Sequence, residues 1–311
     1  MTSNLNKRAL IIGANGTFGG AVTQELLKQG WQVKALLRDA AKCPNWLNPA
    51  DIVVGHCESL ADVKAAAGDV NLIVYGANPL YHQWHEKALK MLEPTAVVAQ
   101  TYRLQILFPD NVYSYNPQQT PLIDETSLQN PVTDKGQIRM VMEQRLQQAC
   151  NNGATVTLVR AGDFIARGAD SSWFNQLLTK RKNGWVLTNP SPQGHCHNYV
   201  WIPDLAANAV ALVDIDSHGF NVWHGQGINA SHQDWLDALT SLDLANKSRT
   251  LPWWALKVIG LFHPVVREVV KMRYLWQQSL QLDGRKMQAA LGEKYQTTSL
   301  TDVIRAMTSN D

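Results

Sequence analysis

The chain has 311 residues, of which 45% are hydrophobic and 17% are charged, and its formal net charge is +2. This composition excludes a mainly disordered chain, and the near balance of charge argues against a nucleic-acid-binding protein, which usually carries a basic stripe. The four cysteines form no CxxC pair, so we expect reduced thiols and a cytoplasmic protein rather than a disulfide framework.

In the first half of the chain, up to about residue 165, short apolar runs alternate with longer segments of helical periodicity. This alternation is typical of a parallel α/β sheet whose strands are covered on both faces. The predicted strands are residues 9–12, 32–37, 51–54, 71–75, 104–108 and 155–159. The predicted helices are residues 17–29, 60–67, 83–102 and 134–151, with the third bent or interrupted at Pro94.

The alternation stops after Gly162, and residues 163–198 are rich in Gly, Asn, Pro and Trp. A helix is predicted over residues 172–182, and a second helix over residues 203–214 returns to the main sheet. A strand and several helices follow from Phe220 onward and are expected in a smaller lobe.

These elements together predict an α/β fold, namely a Rossmann-type doubly wound parallel sheet with a smaller, mostly helical C-terminal substrate lobe. The nucleotide-binding domain is expected in residues 1–162 and 199–216. The smaller lobe is expected to consist of two separated segments, residues 163–198 and 217–311.

The most apolar long stretch of the second half covers residues 251–270 and is too often interrupted to be a membrane span. The interrupting residues are Lys257, His263, Pro264, Arg267 and Glu268. An amphipathic helix that lies on a membrane surface remains open for this stretch, but we expect it to dock on its own domain.

The strongest motif lies between the first predicted strand and the first predicted helix. It reads Gly13-Ala14-Asn15-Gly16-Thr17-Phe18-Gly19. In such a GxxGxxG loop, Gly13 permits the tight turn, Gly16 lets the backbone approach a pyrophosphate, and Gly19 lets the helix pack on the sheet. The N–H groups and the positive dipole end of the helix N-terminus then bind the phosphates. The whole loop is therefore predicted to bind a dinucleotide.

The end of the second strand indicates which dinucleotide is bound. Leu37 stands at the strand tip, where an acid would accept a hydrogen bond from the ribose of NAD, and Arg38 follows it. An arginine there can pair with a 2′-phosphate and stack on adenine, so we predict NADP rather than NAD. The alternative is that Arg38 is a surface residue and Asp39 binds the ribose.

With these motifs in place, the chain resembles the extended short-chain dehydrogenases, the NAD-dependent epimerase/dehydratase family, and more narrowly its atypical members. The further matching stretches are the cofactor turn Gly76-Ala77-Asn78-Pro79, the sequence Asn111-Val112-Tyr113 after the fifth strand, and residues 199–206, which return to the sheet. The resemblance implies a doubly wound fold, a bound dinucleotide contacted by the cofactor turn, and a C-terminal lobe that closes over substrate.

The chain departs from this family at the catalytic pair, a Tyr-x-x-x-Lys at the start of the helix before the sixth strand. No tyrosine is followed by lysine four residues later, and Lys135 and Arg139 stand at the two positions. Arg139 remains a candidate for binding ribose hydroxyls, because a guanidinium does not titrate near neutral pH. Lys135 is a candidate proton donor if burial and the Arg139 charge favour its neutral form, and the alternative is a helix N-terminus with exposed cations.

Three other residues are site candidates. His56 stands where the family has an acid that contacts adenine, and it could replace that contact or be an ordinary loop histidine. Asn111 follows the fifth strand and could bind a substrate oxygen or cap the turn. Tyr81 follows the cofactor turn, beside the substrate crevice, and is an alternative acid or base.

No metal site is predicted, because the sequence His195-Cys196-His197 lacks a second ligand pair. Two classes of function remain. The first is an NADP-dependent oxidoreductase or epimerase that acts on a carbonyl or sugar-like small molecule with a non-standard proton donor. The second is a non-catalytic NADP-binding sensor. Both predict a small-molecule partner, no nucleic acid and no membrane, and both leave a homodimer open.

Overall fold

The computed structural model describes residues 7–168, 173–182, 184–191, 194–244 and 246–309. Its strands, in chain order, are β1 (Arg8–Ile12), β2 (Gln32–Leu37), β3 (Ile52–Val54), β4 (Leu72–Tyr75), β5 (Gln105–Asp110), β6 (Leu122–Ile123), β7 (Thr155–Arg160), β8 (Asp163–Ile165), β9 (Leu178–Arg181), β10 (Gly184–Asn189), β11 (His197–Trp201), β12 (Gly219–His224), β13 (Ile228–Ala230), β14 (Asn246–Thr250) and β15 (Gln281–Leu282). Its α-helices are α1 (Thr17–Lys28), α2 (Leu60–Ala66), α3 (Trp84–Tyr102), α4 (Asp134–Asn151), α5 (Trp173–Leu177), α6 (Ile202–Val213), α7 (His232–Ser241), α8 (Trp253–Gly260), α9 (Pro264–Lys271), α10 (Arg285–Leu291) and α11 (Leu300–Thr308).

The main sheet has seven parallel strands in the order β12-β7-β5-β4-β1-β2-β3. The strand order reverses between β1 and β4, so the loops that follow these two strands open a crevice at the carboxyl edge of the sheet. This Rossmann-like sheet confirms the predicted fold class. Because ligands of such sheets bind at this crevice, the β1 and β4 loops are where a dinucleotide site is sought.

Helices cover both faces of the main sheet. Successive residues of β1 point to opposite faces, so that Ile11 joins the core under α1 and α6, whereas Leu10 joins the core under α2, α3 and α4. Leu26 of α1 and Leu92 of α3 are each fully buried in their respective cores. Burial on both faces is why the strands read as continuous apolar runs in the sequence.

The first half of the chain follows the predicted elements closely. Strand β2 and helix α4 have the predicted bounds, and the other strands and helices differ from prediction by one or two residues at an end. Helix α3 is continuous through Pro94, which excludes the interruption that was one of the two alternatives expected there. None of the helices in the described ranges is both long and apolar enough to cross a bilayer.

Two predictions for the second half are wrong. The helix predicted over residues 172–182 ends at Leu177, and the residues after it form β9, which pairs antiparallel with β10. Residue 172 itself lies outside the described residues. The strand expected in the smaller lobe, β12, instead joins the main sheet as a parallel edge strand beside β7. In both cases backbone pairing with another strand decides the outcome, and local periodicity does not reveal such pairing.

The smaller lobe combines helices with two three-stranded sheets, β14-β10-β9 and β13-β11-β8. Its core is rich in aromatic side chains, with Phe174 and Trp235 in contact at 4.3 Å between ring centroids. Helix α10 packs on β12 and α6 of the main domain, so the chain returns to that domain before it ends in α11. Trp235, Trp253 and Trp276 therefore serve as part of the core of this lobe.

Candidate cofactor and active site

The glycine loop lies at the crevice, where the ends of β1 and β4 meet. Gly13 has a φ of +91°, a backbone conformation that L side chains rarely adopt. A Cβ at Gly13 would lie 2.6 Å from the carbonyl carbon of Gly76, in the loop after β4. The two loops therefore pack backbone against backbone, and this contact requires glycine at residue 13.

Helix α1 begins in this loop with its first-turn N–H groups available. Gly16, at its N-cap, has no side chain that could accept from them, and Asn15 and Gly16 are exposed on the outer face. A Cβ at Gly19 would lie 2.3 Å from the Gly13 carbonyl oxygen, so the helix approaches the turn as closely as a glycine allows. The side chain of Phe18 is 4% exposed and belongs to the core, so only the backbone of Phe18 can contribute to a ligand site in this loop. The loop fits an anionic bridge such as a pyrophosphate.

At the end of β2, Arg38 is exposed beside the crevice. The carboxylate of the next residue, Asp39, accepts a hydrogen bond from the Ala41 backbone N–H at 3.0 Å and caps a short turn. His56 is exposed at the end of β3, and its backbone N–H donates to the Asp62 carboxylate at 2.8 Å. The guanidinium is thus the charged group that this edge offers to a ligand, with the His56 ring beside the same loop cluster.

The cofactor turn after β4 carries Ala77, Asn78 and Pro79, which lie next to the glycine loop through Gly76. The Pro79 carbonyl accepts a hydrogen bond from the Trp84 indole at 3.1 Å, which fixes the turn to the start of α3. Together, the open helix N-terminus, the exposed arginine and this turn form a donor set that fits an adenine dinucleotide.

Lys135 lies in the first turn of α4, at the other end of the crevice, and is only 4% exposed. Its ammonium forms an ion pair with the Glu268 carboxylate of α9 and lies 4.6 Å from the centroid of the Tyr81 ring. The second oxygen of Glu268 pairs with Lys271 at 2.8 Å. The smaller lobe therefore reaches Lys135 directly, and the alternative of an exposed cation is wrong.

Tyr81 and Tyr113 share a hydrogen bond of 2.6 Å between their hydroxyl oxygens. Burial, followed by the Tyr113 hydroxyl, raises the pKa of Tyr81 well above its ordinary value. Burial and the nearby Asp163 carboxylate raise the pKa of Tyr113 to about 12. Both phenols are therefore neutral near pH 7, and one of the two hydroxyls donates to the other.

Arg139 lies one turn after Lys135, stacked over the Trp84 ring at 4.7 Å. One of its terminal nitrogens lies 3.6 Å from Asp110 and 3.4 Å from the Pro109 carbonyl. Its Nε is buried and has no partner among the described residues. The sequence resemblance assigns this arginine to the nicotinamide ribose.

Asn111 uses its side chain within its own loop. Its Oδ1 accepts a hydrogen bond from the Tyr113 backbone N–H at 3.0 Å, which is the turn-capping geometry named as the alternative to substrate binding. The structure thus brings Lys135, Tyr81 and Arg139 together around Trp84 and Tyr113, whereas Asn111 supports the loop that carries Tyr113.

Sequence reasoning missed a buried cluster directly beneath this end of the crevice. Arg160, 1% exposed, donates to Asp110 at 2.8 Å, to Glu143 at 2.6 Å and to the Tyr115 hydroxyl at 2.9 Å. Its guanidinium also lies 3.2 Å from His224 Nε2. Because these residues come from β5, α4, β7 and β12, the cluster ties together the elements that hold the site. The sequence does show ionisable residues at the ends of apolar strands, and this pattern could have indicated the cluster.

Charges in this cluster are strongly coupled. Burial and the Asp110 carboxylate raise the pKa of Glu143 to about 7. Burial opposes ionisation of Asp110, but Arg160 and Arg139 outweigh it and hold the pKa of that carboxyl below its ordinary value. Burial and the Arg160 charge lower the pKa of His224 to about 3. The neutral form of His224 therefore persists throughout the physiological range.

Comparisons with known proteins agree with this geometry. Residues 13–100 match a family model described as NAD(P)H-binding. The chain is similar to the enzyme WbmH of Bordetella bronchiseptica in complex with NAD+, with a TM-score of 0.70 and 19% identity over 96% of each chain. It is also similar to UDP-glucose 4-epimerase of Thermus thermophilus in complex with NAD, with a TM-score of 0.68 and 15% identity over 95% of this chain and 96% of the other.

A third similar structure is TunA, an NAD-dependent NDP-hexosamine 5,6-dehydratase, with a TM-score of 0.69 and 16% identity over 97% of this chain and 96% of the other. A search of curated proteins finds no significant match. Residues 13–100 thus match an NAD(P)H-binding family model, and the chain as a whole has the fold of these NAD-binding epimerase and dehydratase structures.

Proposed function

We propose that the protein is an NADP-dependent oxidoreductase that reduces the carbonyl group of a small molecule, such as an aldehyde, a ketone or a keto-sugar. The observation that carries the proposal is the pair of hydrogen-bonded hydroxyls of Tyr81 and Tyr113, 2.6 Å apart, beside the Lys135 ammonium. When bound, NADPH supplies a hydride. The protein's own contribution is then to orient the substrate and to supply a proton.

Both phenols are protonated near pH 7, which is the form that the reduction of a carbonyl group requires at the start. Because the two hydroxyls share one hydrogen bond, only one of their two protons is free for a substrate carbonyl, and a neutral phenol is a poor base. An epimerase must also remove a proton from an alcohol, and neutral phenols are unsuited to that step. Tyr81 is therefore the proposed proton donor, and Tyr113 orients its hydroxyl.

Lys135 has an electrostatic role in this proposal. Its ammonium lies over the Tyr81 ring, 4.6 Å from the centroid, so a positive charge is close to the phenol that becomes negative when Tyr81 gives up its proton. Glu268 holds the ammonium in position through its ion pair. Lys135 thus stabilises developing charge, whereas the sequence suggested that it donates the proton itself.

The proposed cofactor is NADP, because Arg38 is exposed at the tip of β2 while Asp39 is engaged in capping its own turn. Arg139 is proposed to bind the ribose hydroxyls through its unpaired Nε. Asn111 is left with a supporting role in the loop of Tyr113.

One observation favours the second candidate, a sensor that binds NADP without turnover. Lys135, at the family's tyrosine position, is held by Glu268 from the other lobe and is nearly inaccessible. A protein that uses the dinucleotide only as a signal could use such a pair to couple its two lobes.

Turnover separates the two candidates. We would incubate purified protein with NADPH and a panel of aldehydes, ketones and nucleotide sugars, and follow NADPH oxidation. An oxidoreductase consumes NADPH with at least one carbonyl substrate, whereas a sensor binds NADPH and consumes none. Loss of activity in Tyr81→Phe, but not in the exposed control Tyr102→Phe, would support Tyr81 as the proton donor.

A further inference from the structure

Helices α8 and α9 form one structural unit, the α8–α9 hairpin, with the turn of residues 261–263 between them. A Cβ at Gly260 would lie 3.1 Å from the Cα of Arg267, so the two helices pack closely at their junction. On its inner side the hairpin is anchored to the main domain, because Glu268 pairs with Lys135. Its outer side therefore has a fixed position on the molecule.

The outer side is apolar. The exposed fractions are 74% for Trp254, 55% for Val258, 72% for Leu261 and 88% for Phe262. Trp254 and Val258 are four residues apart and lie on one face of α8, and Leu261 and Phe262 follow in the turn, so the exposed apolar side chains form a stripe from the helix into the turn. Single exposed apolar residues are ordinary, whereas a contiguous exposed patch marks an interaction surface. We expected residues 251–270 to dock on their own domain. This is correct for α9, which is attached through Glu268, and wrong for the exposed stripe that begins on α8.

Positive charge surrounds the stripe. Lys257, Arg267 and Lys271 are exposed on the hairpin, and Lys247 and Arg249 are exposed on β14, which leads into α8. The single carboxylate between residues 246 and 271 is Glu268, which points inward and is neutralised by two lysines. Residues 246–271 thus contribute exposed apolar side chains and cations, and their one carboxylate is paired.

We propose that the α8–α9 hairpin docks on the surface of an anionic lipid bilayer, with Trp254, Leu261 and Phe262 inserted at the headgroup boundary. Aromatic and aliphatic side chains flanked by lysine and arginine suit this boundary, since the apolar groups leave water while the cations contact anionic headgroups. The eight residues of α8 are far too few to span a bilayer, so the hairpin lies on the surface.

The positive charge of the hairpin surface also argues against a second copy of the chain as its binding partner. A two-fold dimer places the same surface on both subunits, so it would gather Lys257 and Arg267 of both copies in one interface. Such juxtaposed like charges oppose association, whereas an anionic bilayer is attracted by them. The bilayer is therefore the partner that satisfies both features of the surface.

The test is cosedimentation of the full chain with vesicles, which requires no enzymatic activity. We expect the protein to sediment with vesicles that contain phosphatidylglycerol and phosphatidylcholine, and less with phosphatidylcholine alone or at high salt. Phe262→Ser and Trp254→Ser should each weaken partition into the vesicles by about tenfold or more, because each removes a large apolar group that the bilayer would bury. Lys257→Gln should weaken binding to the anionic vesicles alone, by about fivefold.

Leu128→Ser is the matched control, because Leu128 is 82% exposed but lies outside the hairpin, and it should bind as the parent does. Absence of the parent protein from the anionic vesicle pellet would overturn the proposal. Equal losses of vesicle binding in Leu128→Ser and Phe262→Ser would also overturn it. A parent dimer that Phe262→Ser converts to a monomer, without any vesicle binding, would assign the surface to a second copy instead.

Discussion

The two ends of the crevice are built in different ways. The phosphate end is made of backbone: Gly13, Gly16 and Gly19 shape it within seven consecutive residues, and no side chain has to come from elsewhere. The reaction end is made of side chains from distant elements, with Tyr81 and Lys135 meeting Glu268 from the smaller lobe. Substitutions at the phosphate end should therefore lower both stability and coenzyme binding. Substitutions at the reaction end should lower activity and leave the unfolding free energy nearly unchanged.

The largest expected effect is at the phosphate end. Gly13→Ala forces a side chain into a φ of +91° and against the Gly76 backbone, 2.6 Å away. We expect loss of about 2 kcal/mol or more of unfolding free energy and loss of NADPH binding. Urea unfolding and calorimetric titration measure the two effects.

Gly30→Ala is the control for that experiment, because Gly30 also has a positive φ, +79°, but a Cβ at this residue would have no neighbouring atom within 4 Å. It should cost about 1 kcal/mol and leave NADPH binding unchanged. Unaltered NADPH binding in Gly13→Ala would contradict the backbone account of the phosphate end.

At the reaction end, Tyr81→Phe removes one hydroxyl and keeps the ring beside Lys135. We expect kcat to fall by about a hundredfold while the KM for NADPH and the unfolding free energy change little. Steady-state kinetics on a substrate found by the panel provide the measurement. A kcat within twofold of the parent would remove Tyr81 from the proposed role.

A smaller effect is expected at the edge that selects the coenzyme. Arg38→Ala should weaken NADPH binding by about tenfold or more and leave NADH binding unchanged, because a charge-assisted pair with the 2′-phosphate is lost. Asp39→Asn tests the alternative that Asp39 binds the ribose of NAD. If Asp39→Asn weakens NADH binding and Arg38→Ala changes neither affinity, the NADP assignment is wrong.

The smallest net effect expected in the parent concerns the buried cluster beneath the reaction end, where two contributions have opposite signs. The folded-state pKa of Glu143, raised to about 7, contributes stability at low pH that is lost as pH rises from about 4.5 to 7. The pKa of His224, lowered to about 3, has the opposite effect, since the unfolded chain binds a proton on His224 below about pH 6.5 and the folded chain does not. The two contributions therefore oppose each other between about pH 4.5 and 6.5.

Single variants separate these contributions. In Glu143→Gln, unfolding free energy should rise with pH across that window more steeply than in the parent, by up to about 1.4 kcal/mol per pH unit. In His224→Gln, the unfolding free energy should instead fall as pH rises across the same window. Urea unfolding at several pH values measures both slopes, and parallel profiles for Glu143→Gln and the parent would show that the Glu143 carboxyl is not perturbed.

The same contrast explains how much the sequence could predict. The glycine loop was readable because each requirement, a positive φ at Gly13 and a close approach at Gly19, is local. The Lys135–Glu268 pair joins residues 133 positions apart, and the Arg160–His224 contact joins residues 64 apart, so no spacing rule could reveal them. The stripe on α8 was visible as periodicity, but periodicity does not indicate whether protein or solvent covers a helix face.

The most direct test of the account is a calorimetric titration of the full chain with NADPH and with NADH. The account predicts saturable binding of NADPH, at an affinity clearly higher than that of NADH. No heat of binding with either coenzyme at millimolar concentration would contradict it, because the phosphate end would then be a glycine-rich turn without a ligand.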